Sequence, residues 1–87
     1  MKIVCDELKK KNKRILVTGG AGYVGSALVP TLIAAGYKVN VLDLYLYGDN
    51  FFEPYRGSDA LREIKGDIRD IDDVFDALNG CGSVIHL

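Results

Sequence analysis

The sequence predicts an α/β domain built on an open parallel sheet, the first half of a doubly wound arrangement with strands in the spatial order 3-2-1-4. Three observations carry this. Extended and helical patterns alternate along the chain as strand, helix, strand, loop, strand, helix, strand, the order that right-handed crossovers turn into a parallel sheet. The first run, Arg14 to Thr18, is β-branched and aliphatic without polar alternation, as a strand buried on both faces reads. Between it and the first helical pattern lies VTGGAGYVGS, with four glycines in ten residues.

The elements follow in order. Glycines end the first strand, and from Tyr23 to Ala35 the residues Val24, Ala27, Leu28, Thr31, Leu32 and Ala35 recur at spacings of three and four before Gly36. This is a helix of about three turns. Pro30 conflicts with it, because an interior proline loses a backbone hydrogen bond at a cost of ~3 kcal/mol; a bend is expected there. Lys38 to Leu42 is the second strand, with Asp43 at its C-terminal end. A long irregular stretch, residues 44–60, is rich in Tyr and Phe and punctuated by Gly48, Pro54 and Gly57; loops of this length tend to be functional. Leu61 to Lys65 is the third strand and Gly66 to Arg69 a turn. Asp70 is a good N-cap for a helix through Val74, Phe75 and Leu78 that stops at Gly80, and Ser83 to Leu87 is the fourth strand.

Composition bounds the rest. With 87 residues, 48% hydrophobic and 26% charged, the chain is one small globular domain, neither disordered nor collagen-like. No apolar run approaches the ~18 residues that span a bilayer, and the N-terminus lacks an apolar signal core, so a cytoplasmic location is expected. Cys5 and Cys81 stand apart with no metal-ligand spacing and are read as free thiols, Cys81 in a turn; no metal site is expected. Residues 1–14 carry a local net charge of +4 within a total of −1. Without interleaved aromatics or a longer basic face, residues 1–13 read as a solvated extension rather than a contact for nucleic acid or membrane. The partial binding domain is then 14–87. A parallel strand ending at the last residue leaves an unpaired edge, so the sheet is expected to be incomplete at its C-terminus and the chain to be a fragment or a truncated product.

Gly19, Gly22 and Gly25 form G-x-x-G-x-x-G between strand and helix. Gly19 permits the tight turn, Gly22 lets the backbone approach a pyrophosphate, and Gly25 lets the helix pack closely on the sheet. Phosphates would sit on free amides at the helix N-terminus, with Tyr23 and Val24 as donors. Eighteen residues after Gly25, Asp43 ends the next strand, where it could take two hydrogen bonds from an adenosine ribose. No G-K-[ST] closes the loop, which excludes a P-loop triphosphatase. Asp43 argues for NAD over NADP, because a carboxylate repels a 2′-phosphate and no Arg or Lys follows it immediately.

TGGAGYVGS, with VLDL, KGDIRD and VIHL, resembles the N-terminal Rossmann part of an extended short-chain dehydrogenase/reductase, in particular the NAD-dependent sugar-nucleotide epimerase/dehydratase family. The resemblance covers residues 14 to 87. It implies that Gly19, Gly22, Tyr23 and Val24 hold the pyrophosphate and Asp43 the adenine ribose. It also implies that Asp67 and Ile68 line the adenine, and that Leu87 begins the stretch under the nicotinamide ribose. The family's catalytic tyrosine stands four residues before a lysine, which lowers the phenol pKa. None of Tyr23, Tyr37, Tyr45, Tyr47 or Tyr55 has that partner, so no catalytic residue is expected here. His86 reads as a strand residue rather than a catalyst. The aromatic segment LYLYG replaces the short polar segment common after the ribose acid, to pack over adenine or to serve as an interface patch, packing being the favoured role.

The parent protein is thus expected to epimerise or dehydrate a nucleotide-activated sugar with tightly held NAD, and the resemblance allows its homodimer. The 87-residue chain alone is expected to bind cofactor without turnover. A non-catalytic dinucleotide sensor is the alternative, and Tyr-x-x-x-Lys downstream would decide for the enzyme.

Overall fold

The computed structural model describes residues 13–19, 21–45 and 52–87, except for the side chain of Tyr23. Four parallel strands, β1 (Arg14–Thr18), β2 (Lys38–Asp43), β3 (Leu61–Lys65) and β4 (Cys81–His86), form one sheet in the order β3-β2-β1-β4. Helix α1 (Tyr23–Ala34) links β1 to β2, and α2 (Ile71–Leu78) links β3 to β4. This is the expected half of a doubly wound Rossmann sheet.

Side-chain alternation along β1 and β2 divides the core into two layers. Ile15, Val17, Val39 and Val41 face α1, where they bury Val29, Leu32 and Ile85. Leu16 and Leu42 face α2 and Ala77, with Ile64, Val74 and Leu78 packed beside them. Both faces of the two central strands are therefore covered, as their unbroken apolar sequence requires. Phe52, from the aromatic loop, is fully buried in the α1 layer, a burial worth roughly 2–3 kcal/mol. A short 3₁₀ turn, Glu53–Tyr55, follows it.

Helix α1 runs through Pro30 to Ala34, and Gly36 adopts a positive φ just beyond, as the stop signal implied. The side chain of Asp70 caps α2 by accepting from the amides of Asp72 and Asp73. Two boundaries differ from expectation. Strand β2 extends through Asp43. Strand β4 starts at Cys81 rather than Ser83 and ends at His86, so Cys81 lies in a strand and not in a turn. The reason is Asn40. Its amide reaches the Ala77 and Asn79 carbonyls and Cys81 Sγ, while its Oδ1 accepts from Arg14 Nε, which draws Cys81 into register with Arg14. A bulge after this pair then absorbs Gly82. Among the described residues no helix is long and apolar enough to cross a membrane.

Candidate functional site

The glycine turn leaves β1 at its C-terminal end. Gly19 has φ +74, its amide donates to the Leu42 carbonyl at 2.8 Å, and its carbonyl accepts from Gly22 at 3.2 Å. A Cβ at this position would stand 3.3 Å from the Leu87 carbonyl oxygen, so both the backbone angle and the close approach select glycine. Gly22 is the N-cap of α1 and has no side chain to cap it. The first hydrogen bond of the helix runs from Ser26 N–H to the Gly22 carbonyl, so the amides of Tyr23, Val24 and Gly25 stand ahead of the helical ladder. Val24 is 55% exposed, whereas Gly25 is buried. The turn is thus an uncapped helix start with amides and dipole suited to an anion.

Asp43 ends β2 opposite this turn. Its Oδ2 accepts the Ala21 amide at 3.0 Å and its Oδ1 the Tyr45 amide at 2.7 Å. One carboxylate therefore holds the glycine loop and the start of the next loop together. An ionised carboxylate has about four acceptor positions, so two remain for a further donor pair. Tyr45 has φ 57, its ring packs against the α1 layer, and its hydroxyl donates to Glu63 Oε1 at 2.9 Å. Burial, reinforced by the Glu63 carboxylate, pushes its phenol well above the ordinary range. Of the LYLYG aromatics, expected to pack over adenine, Tyr45 packs against the α1 layer with its hydroxyl on Glu63, and residues 46–48 lie outside the described residues.

A cleft of about 210 Å³ opens at the C-terminal ends of the strands. It gathers Gly19, Asp43, Asp67, Ile68 and Leu87, five of the residues singled out from the sequence. Gly22, Val24 and Gly25 do not line it. The Asp67 carboxylate is held by the Arg69 guanidinium and backbone amide at 2.6–3.0 Å, which lowers its pKa to about 2. Its own amide donates to Asp73 Oδ2 at 3.0 Å. Ile68 is half exposed at the rim, and Leu87 N–H donates to the Thr18 carbonyl.

Sequence reasoning missed five lining residues, Thr18, Leu42, Leu44, Gly66 and His86. Thr18 Oγ1 and His86 Nδ1 share a hydrogen bond that ties the ends of β1 and β4 together beneath the cleft. Their in-register pairing brings residues 68 positions apart into contact, and no local pattern announces it. Gly66 carried a usable signal, a glycine just before the acid. A Cβ there would meet Asp73 Oδ2 at 2.7 Å.

A parallel sheet in this order, a glycine turn at a helix start and an acid ending the second strand define a Rossmann-type α/β protein. The model of the NAD dependent epimerase/dehydratase family matches residues 15–87, and the chain belongs to that family. It is 37% identical over 73 residues to UDP-glucose 4-epimerase of Corynebacterium glutamicum, covering 84% of this chain and 21% of that protein. It is 36% identical over 74 residues to the human decarboxylating sterol-4-alpha-carboxylate 3-dehydrogenase, covering 85% of this chain and 18% of that protein. The crystal structure of the Bordetella bronchiseptica enzyme WbmG in complex with NAD and UDP superposes with a TM-score of 0.70 at 30% identity, over 85% of this chain and 24% of that one. The chain thus spans about a fifth of the length of the curated relatives it matches.

Proposed function

We propose that residues 14–87 form the adenosine- and pyrophosphate-binding part of an NAD site, with residues 1–13 a basic extension, in a protein that epimerises or dehydrates a nucleotide-activated sugar. The observation that carries this reading is the Asp43 carboxylate bonded to the loop amide of Ala21 across the cleft from the positive-φ Gly19. Support also comes from the family membership and from similarity to an enzyme solved with NAD and UDP.

The residues present fit the cofactor. Gly19 makes the positive-φ turn that a side chain would strain, Gly22 starts the helix without a side chain in the way, and the amides of Tyr23 and Val24, ahead of the α1 ladder, offer donors to a pyrophosphate. Gly25 packs the helix close enough to aim them. Asp43 has acceptor positions left for the ribose hydroxyls, and its charge favours NAD over NADP. Asp67 would accept from the adenine amino group with Ile68 against the ring, while Leu87 starts the wall that continues toward the nicotinamide ribose. When bound, NAD supplies a hydride acceptor and donor. These residues bind and orient it; none of them is assigned a proton transfer. Without Tyr-x-x-x-Lys the chain alone turns over no sugar nucleotide. A 3-hydroxysteroid is the competing substrate class, favoured by the similarity to the sterol dehydrogenase.

The test is amide NMR of the purified chain during NAD addition. The reading expects shifts at Gly19, Gly22, Val24, Asp43 and Asp67. Saturating NAD without shifts there, or with shifts confined to the opposite end of the sheet, contradicts it.

A further inference from the structure

On β3, Leu61 packs in the α1 layer and Ile64 in the α2 layer, so Leu61, Glu63 and Lys65 share the α1 face of the sheet. Lys65 is in register with Asp43, and Glu63 with Val41. Glu63 is therefore on the same face as the ribose acid, one strand further out. Its two oxygens are both committed: Oε1 accepts from the Tyr45 hydroxyl at 2.9 Å and Oε2 from Arg56 Nε at 3.0 Å. Arg56 Nη1 also donates to Glu53 Oε2 at 2.9 Å. The Glu63 side chain is only 18% exposed.

Hydrogen bonds thus run from Asp43 through the Tyr45 backbone and ring to Glu63, and on to Arg56 and Glu53. Partly buried Tyr45 has a left-handed backbone, and its amide donates to Asp43 Oδ1. The consequence is electrostatic. Arg56 is the cation nearest in kind to what a 2′-phosphate needs, a forked guanidinium, and two carboxylates bind it. Glu63 is the acid that lines a small cleft with Tyr45, Arg56 and Lys65.

We infer that Glu63 is a specificity-determining residue of the proposed cofactor site: it holds Arg56 away from the 2′ position of the adenosine ribose and adds a second negative charge behind Asp43, so that a 2′-phosphate is refused. This rests on the dinucleotide reading above and extends it to a residue on a different strand, twenty positions after the ribose acid. A purely structural Glu63, pinning the 3₁₀ turn to the sheet, would affect NAD and NADP alike.

The experiment is titration calorimetry of the full chain with NAD and with NADP, for the wild type, Glu63→Gln and Glu63→Thr. Gln keeps the shape and removes the charge; Thr suits a strand and carries the test if the Gln variant does not fold. In either variant NADP affinity is expected to rise about five- to tenfold, from the Coulomb energy of one charge removed near a dianion, while NAD affinity stays within twofold. Adding Arg56→Gln to Glu63→Gln is expected to take most of that gain away. A wild type that binds NAD, with variants whose NADP-to-NAD ratio is unchanged or whose two affinities move together, overturns the role of Glu63 and leaves the dinucleotide site standing. A wild type that binds neither dinucleotide overturns both.

Discussion

The carboxylate of Asp43 accepts the backbone amide of Ala21 at 3.0 Å, so the acid that ends β2 is fastened to the glycine turn that leaves β1. The residue expected to recognise a ribose is also a structural clamp on the loop expected to hold phosphates. Binding and loop geometry are coupled through one side chain.

Asp43→Asn tests that coupling. Asparagine has a single carbonyl acceptor, so it can keep only one of the two amide bonds to Ala21 and Tyr45 well made. The expected result is about a tenfold loss of NAD affinity by calorimetry and a destabilisation of ~1–2 kcal/mol by urea unfolding, the scale of one charged hydrogen bond. Discrimination against NADP should fall at the same time, because the repelling charge is gone.

Gly19→Ala and Gly57→Ala separate backbone strain from contact. Both positions have positive φ, +74 and +85, but a Cβ at 19 meets the Leu87 carbonyl at 3.3 Å and one at 57 meets nothing within 4 Å. Gly57→Ala should cost about 1 kcal/mol, the left-handed penalty alone. Gly19→Ala should cost more, about 2–3 kcal/mol, and abolish NAD binding. Equal losses in chemical denaturation would show that the approach of Leu87 is not limiting.

Asn40→Ala tests the polar core. Asn40 is fully buried, accepts from Arg14 and donates to the Ala77 and Asn79 carbonyls at 2.8 and 3.2 Å. Truncation leaves a guanidinium donor and two carbonyls at the α2–β4 junction without their partner, a loss of ~3 kcal/mol. Hydrogen exchange should speed up first in α2 and at the start of β4. Unchanged protection there would mean that the junction is held by apolar packing alone.

Asp67 predicts a pH response with a definite sign. Its bonds to Arg69 lower the folded-state pKa from 3.8 to about 2. The stabilisation is therefore present above the unfolded value and fades as pH falls from about 4 toward 2. Carboxyl NMR should show Asp67 titrating near 2. Arg69→Ala should return it toward 3.8, with little effect on stability at neutral pH because the pair is exposed.

How much of this was legible in the sequence depended on the range of the interaction. The strand order followed from local alternation, and Gly19 and Asp43 could be singled out because their positions relative to strand ends are set by nearby residues, whereas Asp67 was named only through the family resemblance. Cys81 was misplaced because its strand is begun by Asn40, forty-one residues earlier, through a contact that local pattern does not encode. The Thr18–His86 bond and the Tyr45–Glu63 bond escaped for the same reason, since each depends on neighbouring strands being in register. Tyr45 shows the limit most clearly: two residues after Asp43, its φ of 57 and the bond from its hydroxyl to Glu63 are features that no local pattern announces.

The most direct test of the central claim is calorimetric titration of the purified chain with NAD, ADP-ribose and NADP in one buffer. The account predicts that NAD and ADP-ribose bind with one-to-one stoichiometry and similar affinity, because the residues present address the shared adenosine and pyrophosphate. It predicts NADP at least about tenfold weaker, from the charge on Asp43. Absence of binding by all three, or NADP binding more tightly than NAD, would contradict it.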